Sequence, residues 1–352
     1  MGNEWLEMLA SSGIKIQIGG VSSDENTLPD TTPQLVDLSD IVIIEVTGEG
    51  AQTFLQGQFC NDLNEVSVTK SQLAGYCTPK GRLLALPTIV EYETGYRLLL
   101  PITEKEAFIK RLRMFVMRSK VTITERTDWV CTGILADTKG NIGPVVLDEL
   151  PQLPMEAVTS DERQIIRWHD DHTQSARARY IVVASVTDQI ALWRDNSQLP
   201  ARSQHIWRLA DISAGVPRIA EGAVEAFVPQ MINLQLIDGL SFTKGCYPGQ
   251  EIVARMQYLG KLKRHMRVFF LAQSEKDDAT VPQPGDTLSA GTDTAAGIVV
   301  DSIRQHDQGL WVLAVVKVSA NEADFQLQSH ALQARSLPYE LPSLAVAKPD
   351  AE

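Results

Sequence analysis

Lys244-Gly245-Cys246-Tyr247-Pro248-Gly249-Gln250-Glu251 fixes a turn late in this chain. Two glycines and a proline so close together exclude the middle of a helix or strand. Pro248 has a preset φ and no amide hydrogen to lose, which suits it to the start of a helix. Gly249 to Tyr258 then reads as a short helix. Ile252, Val253 and Met256 share one face, and Gly260 is a stop. Cys246 would precede that helix, near Lys244, and both the helix dipole and the ammonium favour thiolate over thiol. The alternative reading makes Cys246 a small buried hydrophobe. Downstream come Arg255, Lys261, Lys263, Arg264 and Arg267. From 244 to 267 there are six Lys/Arg against one acid, Glu251, in a chain of net charge −12. A cationic island on an acidic protein points to a specific anionic ligand.

A length of 352 residues exceeds one ordinary core and predicts two or three domains. Charged residues make up 22% and hydrophobic ones 44%, the balance of a soluble globular chain. No apolar run reaches membrane-spanning length, and the first thirty residues lack a signal-peptide h-region. A cytoplasmic location is therefore the expectation, without membrane partners. Cys60, Cys77, Cys131 and Cys246 form no CxxC pair, which argues against a disulfide framework or a self-contained Zn or Fe–S ligand set. His169-Asp170-Asp171-His172 has ligand-type side chains but sits in a charged stretch, Asp161 to Arg177, that reads as a surface excursion; no metal is expected there. Phosphate-loop, dinucleotide and nucleophile-elbow signatures are absent.

The periodicities predict an α+β body followed by a β-rich end. Trp5, Leu6 and Leu9 mark a short amphipathic helix within a loosely attached extension over 1–32. Val36–Val46 reads as one or two strands, Gly48–Gly57 as a helix, and Leu73–Val90 as strand, turn, strand around Pro79-Lys80-Gly81. Thr103–Ser119 is the clearest helix, with Thr103 and Glu106 as a capping box. Further helices are expected over Thr187–Arg194 and from Ser203 to Gly215. Strand and helix order over about 75–200 suggests a ferredoxin-like unit. From His265, short β runs separated by Gly/Pro turns predict a small sandwich or barrel. Gln56-Gly57-Gln58-Phe59-Cys60-Asn61-Asp62 clusters amides able to read a heterocycle edge, or else forms a C-cap and an Asn-Asp turn.

Four segments, in order, resemble the YgfZ family, a branch of the aminomethyltransferase (glycine-cleavage T-protein, GcvT-like) superfamily. They are Phe54-Leu55-Gln56-Gly57-Gln58 with Asn61-Asp62; Lys80-Gly81-Arg82; Trp207-Arg208 with Gly215-Val216-Pro217-Arg218-Ile219; and Phe227 to Leu234 running into Ser241–Arg255. The resemblance covers roughly 35–270. It implies an α+β, three-domain ring around a channel that binds tetrahydrofolate, with two ferredoxin-like domains and a C-terminal small β-barrel. The expected boundaries are an extension over 1–32, a discontinuous folate-binding domain over 33–75 plus 203–260, an α+β domain over 76–202, the barrel over 261–340 and a tail over 341–352.

The resemblance further implies a folate-binding accessory protein for Fe–S enzymes, including one that thiolates tRNA, with direct tRNA contact as a further expectation. Cys246 would be the redox-active or cluster-handling thiol, Lys244 its activator, and Tyr247 and Glu251 orienting or proton-handling groups. Trp207 would stack on the pterin, with Gln58, Asn61, Arg218 and Gln250 around it. Arg255, Lys261, Lys263 and Arg264 would hold a glutamate tail, favouring polyglutamylated folate. The glycine-cleavage enzymes have no cysteine matching Cys246, and Ile41 stands where some relatives place an aromatic folate contact. A folate-dependent transferase or demethylase, and a tRNA- or enzyme-docking module without chemistry, are the rival readings.

Overall fold

The computed structural model describes residues 3–14, 32–117, 119–145, 147, 149–160, 163–173, 177–258, 262–272, 280–305, 308–320 and 324–341. Within them, three sheets organise an α+β molecule. A five-stranded antiparallel sheet runs in the order Gln72–Leu73, Thr88–Tyr92, Gly95–Pro101, Ile41–Thr47, Thr122–Arg126. A six-stranded sheet runs Ala157–Ser160, Arg163–Asp171, Arg177–Ser185, Trp129–Leu135, Gln34–Asp37, Ala201–Arg202, with only the last pair parallel. A seven-stranded antiparallel sheet forms the C-terminal unit.

Period-2 alternation sorts the strand residues onto two cores. In Ile41–Thr47, Ile43 enters the central core, whereas Ile44 and Val46 face the helices Ala51–Gln56 and Lys105–Met114. In Trp129–Leu135, Cys131 and Leu135 face the same central core. Val130 and Ile134 meet the helix Val186–Asp195 instead. The inner faces of the first two sheets thus share one core. The helix Gln204–Ser213 contributes Trp207, Leu209 and Ile212 to it, and the barrel adds Val300, Ile303 and Leu313. Ser185 and Ser203 cap the two helices that follow them, each accepting a hydrogen bond from a first-turn amide.

The C-terminal sheet closes by a simple device. His330–Ala331 pairs with Phe325–Leu327 at one edge, and Gln333–Arg335 pairs with Arg264–Ala272 at the other. One continuous segment therefore covers both edges and leaves a barrel.

Several expectations need correction. The helix at the start of the chain, Asn3–Ser11, is not loosely attached: Trp5 and Leu9 are fully buried, and Trp5 packs edge-on against Trp193 at 5.9 Å. Residues 15–31 of the expected extension and 342–352 of the tail lie outside the described residues. The long helix is shorter than expected. Ile102–Glu104 forms a 3-10 turn, Lys105–Met114 is α-helical, and no side-chain cap bond forms. The stretch read as a surface excursion contains the buried strand Arg163–Asp171. Finally, Ile41–Thr47 pairs with Gly95–Pro101 and Thr122–Arg126, so the boundary expected at 75 runs through a sheet. No helix among the described residues is long and apolar enough to cross a membrane.

Candidate functional site

A cavity lies where the three main elements of the central core meet. Ile41, Thr88, Leu99 and Pro101 come to it from the five-stranded sheet, and Trp168 and Ile181 from the six-stranded one. Trp207, Asp211, Pro217 and Arg218 come from the helix Gln204–Ser213 and its exit. Its volume is about 50 Å³, room for a few waters. The helix ends at Gly215, whose φ of +66° is in the left-handed region, and the chain turns there to bring Pro217 and Arg218 to the wall.

Charges buried at this wall are paired. Asp211 accepts hydrogen bonds from Trp168 Nε1 at 2.8 Å and from Arg179 Nη1 at 2.9 Å. Arg218 donates to Asp40 at 2.9 Å and to Asp211 at 3.4 Å. Arg179 is fully buried, yet its Nη2 has no partner. Burial lowers its pKa, and the Asp211 charge works against that. Burial lifts the Glu104 carboxyl to about 8, and the nearby Arg218 charge offsets only part of the rise. Its Oε2 is likewise unpartnered. Burial and Arg179 push His169 down to about 4, so the imidazole is neutral at pH 7. Among the described residues no cluster of three metal-ligating side chains occurs. Asp170 pairs with Arg167, and Asp171 pairs with Arg177.

Trp207 reaches this cavity in a form other than the expected stacking platform. It is 1% exposed, and Arg179 lies over its ring at 4.7 Å. A Cβ on Gly133 would meet the ring at 2.7 Å. Trp207 is a braced wall of the cavity with little free face. Trp168, Asp211 and Arg179 were missed in the sequence. Trp168 alone has a local signal, its place two residues from Ile166 on the inner row of the strand Arg163–Asp171.

The second cluster is the 244–251 turn. Lys244 is buried, and its Nζ donates to the carbonyls of Gln56 and Phe59 at 2.6 Å and of Asn61 at 3.0 Å. All three N–H bonds are thus directed at the 56–61 turn, which corrects the expected role of activating Cys246. Burial lowers this ammonium to about 8. It also sits 5.2 Å from the Tyr247 ring centre. Burial pushes the Tyr247 phenol far above its ordinary value, which removes it as a proton carrier near neutrality. Asn61 donates to Leu73 O at 2.9 Å and Asp238 O at 2.7 Å, so it ties backbone together. Gln58 keeps a buried, unpartnered Oε1. Gly249 has φ +86°, and a Cβ there would lie 2.5 Å from both Gly81 Cα and Thr78 O. Glycine is obligatory at that contact, and the helix begins one residue later, at Gln250.

Cys246 is exposed, whereas Cys60, Cys77 and Cys131 are buried. Glu251, Arg255 and Lys263 are exposed, and Gln250 and Arg264 are half-buried. Lys261 lies outside the described residues. None of the described ones lines the cavity, where Arg218 is the cationic group. The two clusters are therefore separate surfaces joined through the core.

No family model matches the chain. Over 332 residues it is 31% identical to the tRNA-modifying protein YgfZ of Colwellia psychrerythraea, covering 89% of this chain and 95% of that protein. The chain belongs to the YgfZ family. A second YgfZ, from Hamiltonella defensa, is 29% identical over 300 residues, covering 83% of this chain and 84% of that protein. The fold also matches the solved glycine cleavage system aminomethyltransferase T from Bartonella henselae, with TM-score 0.65 and 14% identity over 88% of this chain and 86% of that one. At that identity the match speaks for the fold. This YgfZ family member thus shares the GcvT-like architecture of two α+β units and a C-terminal barrel.

Proposed function

We propose that this chain binds a tetrahydrofolate in the cavity between the sheets and serves tRNA modification, as an accessory to Fe–S enzymes such as one that thiolates tRNA. The observation that carries the folate reading is the cavity wall itself. Trp168, Trp207 and Ile41 offer apolar surface, and Asp211 and Arg218 offer an acceptor and a donor to a polar heterocycle. Unpartnered buried atoms on Arg179 and Glu104 beside that wall are in keeping with a missing polar partner. The fit is one of chemistry; about 50 Å³ is too little for a bicyclic ring, so entry requires the wall to part. The tRNA part follows the names of the relatives.

Cys246 is the thiol in this reading, since it is exposed whereas Cys60, Cys77 and Cys131 are buried. One thiol cannot hold a cluster alone, so partner thiols complete any cluster it handles. Arg255, Lys263 and Arg264 stand off the cavity lining, which leaves the glutamate tail without an assigned grip.

Titration calorimetry with tetrahydrofolate tests the cavity. Binding by the native chain, weakened about tenfold by Arg218→Lys in a folded variant, is the expected result. No heat of binding to the native chain would sink the folate reading. Separately, Cys246→Ser should fail to restore Fe–S enzyme activity in cells lacking the protein. Full rescue would remove the thiol from the mechanism.

A further inference from the structure

The outward face of the helix Gln250–Tyr258 is largely uncovered among the described residues. Val253 is its buried anchor, while Ile252 is 40% and Tyr258 68% exposed. Arg255 is exposed between them, and at i and i+3 Arg255 and Tyr258 lie on one side of the helix. Phe242 braces the Tyr258 ring in an edge-on contact at 6.4 Å. The Lys80–Gly81 turn packs against the start of the same helix, where a Cβ on Gly81 would lie 3.2 Å from Ile252 Cβ, and Lys80 is exposed. Lys263 is exposed just beyond the helix, at the entry to the barrel. None of the ion pairs among the described residues involves Lys80, Arg255 or Lys263. One exposed acid, Glu251, lies on the helix.

We infer that this face docks RNA, with an unpaired base on Tyr258 and phosphates at Arg255, Lys263 and Lys80. An exposed aromatic ring among unpaired cations matches the two needs of a single-stranded or looped RNA, a π-face and charge neutralisation. The chain as a whole carries a net charge of −12, island included, so the remainder repels a polyanion and docking is confined to this island. Cys246 lies four residues before the helix and is exposed, so an RNA seated here lies beside the thiol's end of the molecule. The choice of RNA over other polyanions rests on the tRNA reading above; the surface itself does not depend on the folate cavity.

Fluorescence anisotropy with a labelled hairpin RNA bearing an unpaired loop, at about 50 mM salt, tests the inference. Tyr258→Ala should weaken binding about tenfold. Arg255→Glu should weaken it at least as much and reduce the salt slope by about one. Both variants should take up tetrahydrofolate as the native chain does. No RNA binding by the native chain, or equal binding by the variants, overturns the docking surface whatever the folate result. Preference for anionic vesicles or polyglutamate over the hairpin also overturns it. Loss of folate uptake in the native chain with RNA binding intact would instead sink the cavity reading alone.

Discussion

Replacing Asp211 with Asn tests the charge network behind the cavity. Asp211 and Arg179 have side chains 3% and 0% exposed and pair at 2.9 Å. Arg218 retains Asp40 after the change, but Arg179 loses its direct counter-charge. Breaking a buried pair from one side costs about 3–5 kcal/mol, because the remaining charge stays desolvated. Asn still accepts from Trp168, so we take about 3 kcal/mol. A chain of 352 residues has an unfolding entropy near 0.7 kcal/mol/K, which makes the expected loss about 4 °C in Tm. Calorimetry of Asp211→Asn, Arg179→Met and the double variant provides the assay. The double variant should recover at least about 1 kcal/mol over Asp211→Asn, since it also removes the orphaned charge. A Tm for Asp211→Asn within about 1 °C of native would refute the reasoning. So would a double variant no better than the single one.

Lys244→Met should destabilise by about 2–3 kcal/mol in thermal melts, because three buried carbonyls lose a charged donor. Glu104 holds its proton in the folded state up to about pH 8, against 4.5 when unfolded, so stability should fall as pH rises between those values. Glu104→Gln should flatten that slope, which is worth up to about 5 kcal/mol; a native stability that rises over the same window contradicts the sign. Maleimide should label one thiol per folded chain, at Cys246, and four in denaturant; Cys246→Ser should leave none labelled in the folded state and change stability by less than about 1 kcal/mol. Gly249→Ala should cost more than about 2 kcal/mol, from the left-handed φ and the backbone clash with Gly81 and Thr78 together, as read by denaturant midpoint.

The helices Val186–Asp195 and Gln204–Ser213 were legible because their signals are local: a capping serine, a period of 3.6 and a stop. The barrel was legible from its turn spacing. Arg163–Asp171 was not, because its charges looked solvated. Their neutralising partners are Asp170 for Arg167 and Arg177 for Asp171, and on the neighbouring strand Arg179 pairs with Asp211, far away in sequence. The same distance hid the cavity, whose wall draws on positions from Ile41 to Arg218. Lys244 was read from the sequence as the activator of Cys246. Its partners are backbone carbonyls, which residue identity does not encode. Trp207 lines a cavity but lacks the free face read for it, since packing on Gly133 and Arg179 comes from strands the sequence could not align with it.

The strand Gln34–Asp37 sits between Trp129–Leu135 and Ala201–Arg202. A ribosome releases it long before either neighbour. One edge of it waits for residue 135 and the other for residue 202, while Ile41–Thr47, a few residues on, also awaits both of its neighbours. Early local closure is thus denied to the first two strands, and sheet assembly depends on long-range loop closure. This timing makes the nascent chain vulnerable to edge pairing with other chains. Late closure of both sheets is the biosynthetic consequence of threading adjacent strands into separate sheets.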